Sequence, residues 1–433
     1  MIMTVRAHFV EWKNQVCNLF RERNLIRQDW IVASAILVVA TLFFTWRLYE
    51  FISLNPVDNS VFGADTAENY GMISTHRYGG LGPSKHPAAI GWTLMVIAPL
   101  QFLGVPPPVA ISIGFALAVG IGLAALFLTL RLRGLTAGPA VSLVALGAMS
   151  YAFVTIASVV DTYSLTVAAV CVALLIITIV GQISIGWVSG ALAGAAVAGA
   201  ALFNLPAAAY AVASWGTWLD KSRGSDPRGA TRLAAISIGA ALAVTAVPVL
   251  LVSAWIGFGV QTGLLERYAS ISHFFDGKTL ADTIATIFAF AHVAPESTLF
   301  CRYLWNELPQ YAASPLRGLA MLGWLALIVS GIVTGLRSIV WRGTVVSMVA
   351  IIGAIVAFYV YFAPQAMQLY AGQWMPATIL LIAPLLAAKP KLWPAVAAFA
   401  LLNAALNGPP LLNSQVWTFD ALCPADRAVN GGL

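Results

Sequence analysis

Pro108-Val-Ala-Ile-Ser-Ile-Gly-Phe-Ala-Leu-Ala-Val-Gly-Ile-Gly-Leu-Ala-Ala-Leu-Phe-Leu-Thr-Leu130 contains no charged side chain. At the rise of an α-helix such a stretch is about 34 Å long, enough to cross roughly 30 Å of hydrocarbon. Its apolar residues are continuous rather than alternating, and backbone in lipid has to satisfy its own hydrogen bonds, so it reads as a helix and not a barrel strand. Comparable runs recur through a chain of 433 residues that is 60% hydrophobic and 9% charged, with a mean hydropathy of +0.85. The expected fold is all-α, a polytopic membrane protein with residues 1–433 forming one transmembrane domain. Spans are expected at about 30–48, 108–130, 137–160, 163–181, 186–203, 205–219, 233–258, 318–336, 344–363, 375–388 and 393–409, about eleven in all. The short apolar stretch 86–104 is flanked by proline, and a full crossing there would place Arg131 and Arg133 outside. It is expected instead as a juxtamembrane or re-entrant helix.

Charge placement sets the expected orientation. Residues 1–29 carry Arg6, Lys13, Arg21, Arg23 and Arg27, with Phe9, Trp12, Val16, Leu19 and Phe20 at helical spacing, as in a cytoplasmic amphipathic segment. With that segment inside, fifteen of the 23 Lys and Arg residues fall on the cytoplasmic side and eight outside. The bias predicts a multi-pass protein of the plasma (inner) membrane, N-terminus cytoplasmic and C-terminus extracytoplasmic. A net charge of +6 is then explained by the membrane and calls for no nucleic acid. The acids run the other way, twelve outside against five inside, which points to a functional outer surface. That surface comprises a first outer loop with its juxtamembrane helix (49–107), a second long outer loop (259–317) and an outer tail (410–433). The middle loop holds Asp276-Gly-Lys-Thr279-Leu-Ala-Asp282, with Leu280, Ile284, Ile287, Phe288 and Ala291 on one stripe, the pattern of a helix lying on the bilayer.

Cys17 is expected in the cytosol and Cys171 buried in a span. Cys301 and Cys423 share the outer face, where disulfides persist, so they are either bridged or two free thiols. No Cys/His spacing resembles a zinc site.

The chemistry concentrates after the first span. Asp65-Thr-Ala-Glu68-Asn-Tyr70 is followed by His76, Arg77 and Lys85-His86-Pro87, two acids, two histidines and two cations in one loop of a chain poor in charge. Together with Asp161-Thr-Tyr163 and Leu369-Tyr370-x-x-Gln373-Trp374-x-Pro376, these segments resemble the GT-C superfamily of integral membrane glycosyltransferases. The family includes the protein O-mannosyltransferases and the lipid A aminoarabinose transferases. The resemblance implies a polyprenyl-phosphate-linked sugar as donor, a glycan, lipid or protein as acceptor, and the surrounding membrane lipids as partners. Asp65 would then be the general base for an inverting attack on the anomeric carbon, with Glu68 orienting it or binding acceptor hydroxyls. Lys85, His86 and Arg267 would hold the donor phosphate, and Tyr70, Arg77, Asp161, Tyr370 and Gln373 would complete donor and acceptor contacts. Participation of a divalent metal stays open.

Simpler roles compete with each assignment. Asp65 and Glu68 also read as solvated loop acids, with Asp58 a rival base. Lys85 reads as a snorkelling residue and His86 as a helix cap. Asp161 reads as the N-cap of the next span, Glu266-Arg267 as a local ion pair, and Tyr370 and Trp374 as interfacial anchors. At the level of function, a transporter or flippase of a lipid-linked glycan is the rival class, followed by a polysaccharide polymerase or ligase. Transport fits poorly with expected spans whose interiors lack ionisable residues.

Overall fold

A computed structural model describes residues 15, 27–54, 66–75, 86–183, 187–256, 291–293, 314–362 and 370–412. Helix α1 is Arg27–Leu54, α2 is Thr66–Thr75, and α3 is the apolar helix Pro87–Phe102 with a π-turn at Thr93–Ile97. Next come α4 (Pro107–Leu132), α5 (Ala137–Ala148), α6 (Tyr151–Ala157), α7 (Thr162–Gln182) and α8 (Trp187–Ala201). A 3-10 segment, Leu205–Val212, leads into α9 (Ala213–Lys221), followed by α10 (Pro227–Ile256). The remaining helices are α11 (Pro315–Arg337), α12 (Arg342–Phe362), α13 (Met375–Ala388) after a 3-10 turn at Ala371–Trp374, and α14 (Trp393–Leu412).

The all-α membrane architecture is present. Seven of the described helices are long and apolar enough to cross a membrane, or eight if the bent pair α5–α6 counts as one crossing. The expected number of about eleven is not reached on that criterion. Stretches 186–203, 205–219 and 393–409 are helical without meeting both conditions. The first span is also longer than expected, since α1 continues past position 48 to Leu54. Stretch 205–219 is two elements, because Pro206 lacks an amide hydrogen and opens a 3-10 turn ahead of α9.

Helix α4 is the central rod. It runs antiparallel to α1, which it approaches so closely that a Cβ at Gly120 would lie 2.5 Å from Thr41 Oγ1 and 2.7 Å from the Leu37 carbonyl. On its other side a Cβ at Gly122 would lie 2.7 Å from Ala168 Cα of α7. Close backbone approach through glycine is how helices associate where lipid supplies no hydrophobic contrast. By the same logic Leu242 and Leu251 of α10, and Leu319 and Leu322 of α11, are exposed on the rim of the bundle.

The expected span 137–160 is broken by 69° between α5 and α6. Such a break frees backbone groups, and protein replaces the missing partners. The amides of Tyr151 and Ala152 donate to the carbonyls of His292 and Ala291, each at 3.1 Å. Asn407 Nδ2 donates to the carbonyls of Met149 (2.7 Å) and His292 (3.0 Å). His292 stacks on Trp324 with ring centroids 4.2 Å apart, and Trp324 Nε1 donates to Asn403 Oδ1 at 2.9 Å. Residues 291–293 of the middle loop are thus buried inside the bundle, which corrects the placement of Ala291 on a surface helix.

Polar side chains collect at the two ends. At one, Arg131 clamps Asp29 at 2.6 and 3.0 Å, and Gln182 Nε2 donates to the Leu132 carbonyl. Beside them Asp220 receives the amides of Gly343 (2.6 Å) and Thr344 (2.9 Å), capping the start of α12 from another helix. Arg133 faces Asp220 at 3.6 Å, bonds Thr217 Oγ1 at 2.6 Å and Thr344 Oγ1, and lies over the Trp341 ring. The opposite end holds the candidate site.

Candidate functional site

Helices α4 and α7 run parallel, since Leu132 meets Gln182 near one end and Gly122 meets Ala168 further along. The start of α7 therefore sits level with position 117 of α4, about 15 Å short of that helix's own N-terminus. At that depth a cluster of polar and aromatic side chains, half-buried at His86 and Tyr370 and buried at Gln373 and Tyr359, forms the recess of the candidate site.

Asp161 occupies the N-cap position of α7 in extended conformation (φ −139, ψ 152) and is 3% exposed. Its side chain makes no capping bond; Thr162 Oγ1 donates to Asp161 Oδ1 at 3.2 Å instead. The cap position is filled, and the carboxylate is used otherwise. His86 likewise sits at the N-cap of α3 without capping it, and its Nδ1 bonds the carbonyl of Phe203. A carbonyl only accepts, so in this contact Nδ1 carries the hydrogen. The amide of Ala88 donates to the Leu202 carbonyl at 3.2 Å, which ties the start of α3 to the end of α8. From there α3 leads to the N-terminus of α4, so both its ends stay in one half of the bundle.

The His86 ring meets Tyr163 edge-on at 6.3 Å, and Tyr163 meets Tyr370 edge-on at 5.1 Å. Tyr370 stacks on Tyr359 at 3.7 Å with the rings 6° from parallel. Below them a chain of hydrogen bonds runs from Gln373 Nε2 to the Tyr359 hydroxyl (2.8 Å) and on to Asn204 Oδ1 (3.2 Å). The Tyr210 hydroxyl donates to the Gln373 carbonyl at 2.8 Å. Helix α2 leans on this recess through Asn69, whose Nδ2 donates to the Val160 carbonyl at 3.4 Å, and through buried Ile73 one turn on. Tyr70 is half-buried against the core, as are Tyr370 and His86, whereas Gln373 and Tyr359 are buried at the base.

Of the residues expected in the site, His86, Asp161, Tyr370 and Gln373 therefore come together from three distant parts of the chain, with Tyr70 on the adjoining helix. Glu68 is a member of α2. Asp65, Arg77, Lys85 and Arg267 lie outside the described residues, as do Cys17, Cys301 and Cys423. Cys171 is a free thiol buried in α7. Trp374, 1% exposed, is a core residue and not an interfacial anchor. Asn204, Tyr359 and Tyr210 were not anticipated. Their only sequence signal is polarity within apolar stretches, where each polar atom needs a partner. Among the described residues no group of three or more His, Cys, Asp or Glu is placed to hold a metal ion.

No family model matches the chain, and no curated protein or solved structure matches it.

Proposed function

We propose that the protein is a membrane glycosyltransferase of the GT-C type that moves a sugar from a polyprenyl-phosphate donor to an acceptor hydroxyl at the extracytoplasmic face of the plasma (inner) membrane. The observation that carries this reading is the convergence of His86, Asp161, Tyr370 and Gln373 in one recess at the end of the bundle away from Arg131 and Arg133. From the sequence they belong to three motifs, with Tyr370 and Gln373 in the same one. A recess at that depth suits a donor whose phosphate lies at the interface and whose tail lies in lipid.

In this reading the Asp65 carboxylate takes the proton of the acceptor hydroxyl while its oxygen attacks the anomeric carbon. The glycosidic bond to phosphate breaks on the opposite face, inverting the sugar, and the electron pair leaves with the polyprenyl phosphate. Lys85 and Arg267, with His86 through its Nε2–H when protonated, neutralise the charge that develops there. Asp161 is the second carboxylate of the site.

The test is transfer from polyprenyl-phosphate sugars by the purified protein, alongside donor binding. Asp65→Asn should keep donor binding and lose roughly a hundredfold or more in turnover. Lys85→Ala should weaken both, because a cation facing phosphate acts before and during the reaction. Asp58→Asn should change little. A fully active Asp65→Asn enzyme together with an inactive Asp161→Asn one would move the base to α7; absence of transfer with every polyprenyl-phosphate sugar would sink the reading.

A further inference from the structure

We propose that the corner where α11 and α13 end and α12 begins, carrying Arg337, Arg342, Lys389 and Lys391, is a docking site for an anionic phospholipid of the adjoining leaflet. The site is independent of the glycosyltransferase reading and lies at the end of the bundle that holds Arg131 and Arg133.

Helix packing fixes which residues meet there. A Cβ at Gly331 would lie 2.2 Å from the Leu381 carbonyl, and one at Gly335 would lie 2.4 Å from Val345 Cγ2 and 3.0 Å from Pro384 Cγ. Helices α11 and α13 therefore run parallel and finish side by side, with the start of α12 beside them. Arg337 is two residues past Gly335, Arg342 three before Val345 and Lys389 five past Pro384, so each lies within about 8 Å of that meeting point along the helix axes. Arg342 Nε donates to the Leu336 carbonyl at 2.9 Å, which holds its guanidinium against the end of α11. Lys391 follows in the 3-10 turn Pro390–Leu392.

All four cations are exposed, and among the described residues none of them is in an ion pair. The described acids at this end are engaged elsewhere: Asp29 by Arg131, Asp220 by Arg133 and the amides of α12, and Asp226 by the Gly229 amide and Trp218. Water alone satisfies a surface cation, but it does not account for the apolar residues set among these. Ile339 and Val340, 55% and 59% exposed, form the turn between Arg337 and Arg342, and exposed Leu392 and Trp393 follow Lys391. From that turn Leu336, Val333 and Val329 continue as one exposed stripe along α11. The partner that fits carries negative charge at one end and a long apolar body that follows a helix. A phospholipid does so, with its phosphate among the cations and an acyl chain on the stripe. A soluble acidic protein would meet the charges and leave the stripe uncovered. A zwitterionic headgroup brings an ammonium for which no unengaged carboxylate is at hand among the described residues, so the corner favours a headgroup with net negative charge.

Native mass spectrometry of the purified full chain in detergent, with dioleoylphosphatidylglycerol or dioleoylphosphatidylcholine added, tests the proposal. The wild type should retain the anionic lipid at least tenfold more tightly than the zwitterionic one. Arg337→Gln combined with Lys389→Gln should remove most of that preference, since each cation at an anionic headgroup gives roughly a fivefold gain in affinity. Arg223→Gln combined with Arg228→Gln takes the same charge from the exposed corner between α9 and α10 and should leave the preference nearly intact. Val333→Ser combined with Leu336→Ser should weaken retention of both lipids. Unchanged melting temperatures in lipid-free detergent will show that the variants fold, and Lys391→Gln alone serves if the first pair does not. No preference for phosphatidylglycerol, or equal losses from the two charge-removing pairs, would overturn the proposal. Displacement of the lipid by millimolar glycerol 3-phosphate or polyglutamate would also overturn it, by showing that a soluble anion or an acidic protein suffices.

Discussion

Asp226 shows how one carboxylate can define the start of a long helix. It precedes Pro227, the first residue of α10, and accepts the Gly229 amide at 2.8 Å and Trp218 Nε1–H at 3.1 Å. A Cβ at 229 would lie 1.9 Å from Asp226 Oδ2, so a larger residue there would have to displace the carboxylate. The Gly229 amide, and then the Trp218 indole, hold the Asp226 carboxyl below its ordinary value of 3.8. A carboxyl with a depressed value in the folded state stabilises the fold above its unfolded value, and that contribution disappears as pH falls through the folded one. Asp226→Asn should therefore lower the melting temperature in detergent at neutral pH, and the gap from wild type should close below pH 3.8. A gap that persists unchanged into acid would mean that the charge has no part in the cap.

Among the elements, α9 and α12 are joined by a polar clamp that no local pattern announces. Asp220 receives two backbone amides of α12 and faces Arg133 at 3.6 Å, and both side chains are nearly excluded from solvent. Asp220→Ala would strand the guanidinium and the α12 amides together, so a loss of about 3–5 kcal/mol is expected. It should appear as a lower unfolding midpoint in detergent; a change within the noise would show that water replaces the carboxylate freely. Long uninterrupted apolar runs such as Pro107–Leu132 and Thr162–Gln182 were readable from sequence because length and hydropathy are local properties. The break between α5 and α6 was not, because its amides are satisfied by the carbonyls of Ala291 and His292, about 140 residues downstream. The site divides in the same way. His86 and Asp161 stood out as polar residues next to apolar runs, whereas Tyr359 and Asn204 gain meaning only from a bond that joins positions 155 residues apart.

For the whole molecule, the two polar ends differ in character. One is built around ion pairs between helices, Arg131–Asp29 and Arg133–Asp220, and the other gathers tyrosines, amides, a histidine and Asp161, with the Arg47–Glu50 pair within α1 toward the same end. We propose, from the excess of Lys and Arg in its loops, that the first end faces the cytoplasm. Cysteines introduced at Asn59, Asp276 or Asn430 should then react with an impermeant reagent added outside intact cells, and one at the exposed Ser225 should not. Labelling at 225 would invert the orientation and put the recess in the cytosol. The break in α5–α6 also bears on the order in which the bundle is made. Its open carbonyl at Met149 waits for Asn407, and its open amides wait for residues 291 and 292. Synthesis delivers α5 and α6 long before either partner, so the nascent chain carries an unfinished joint through more than half its length. The recess beside that joint can take its final form only when α14 leaves the ribosome, which makes the last described helix a checkpoint on whether the finished site exists at all.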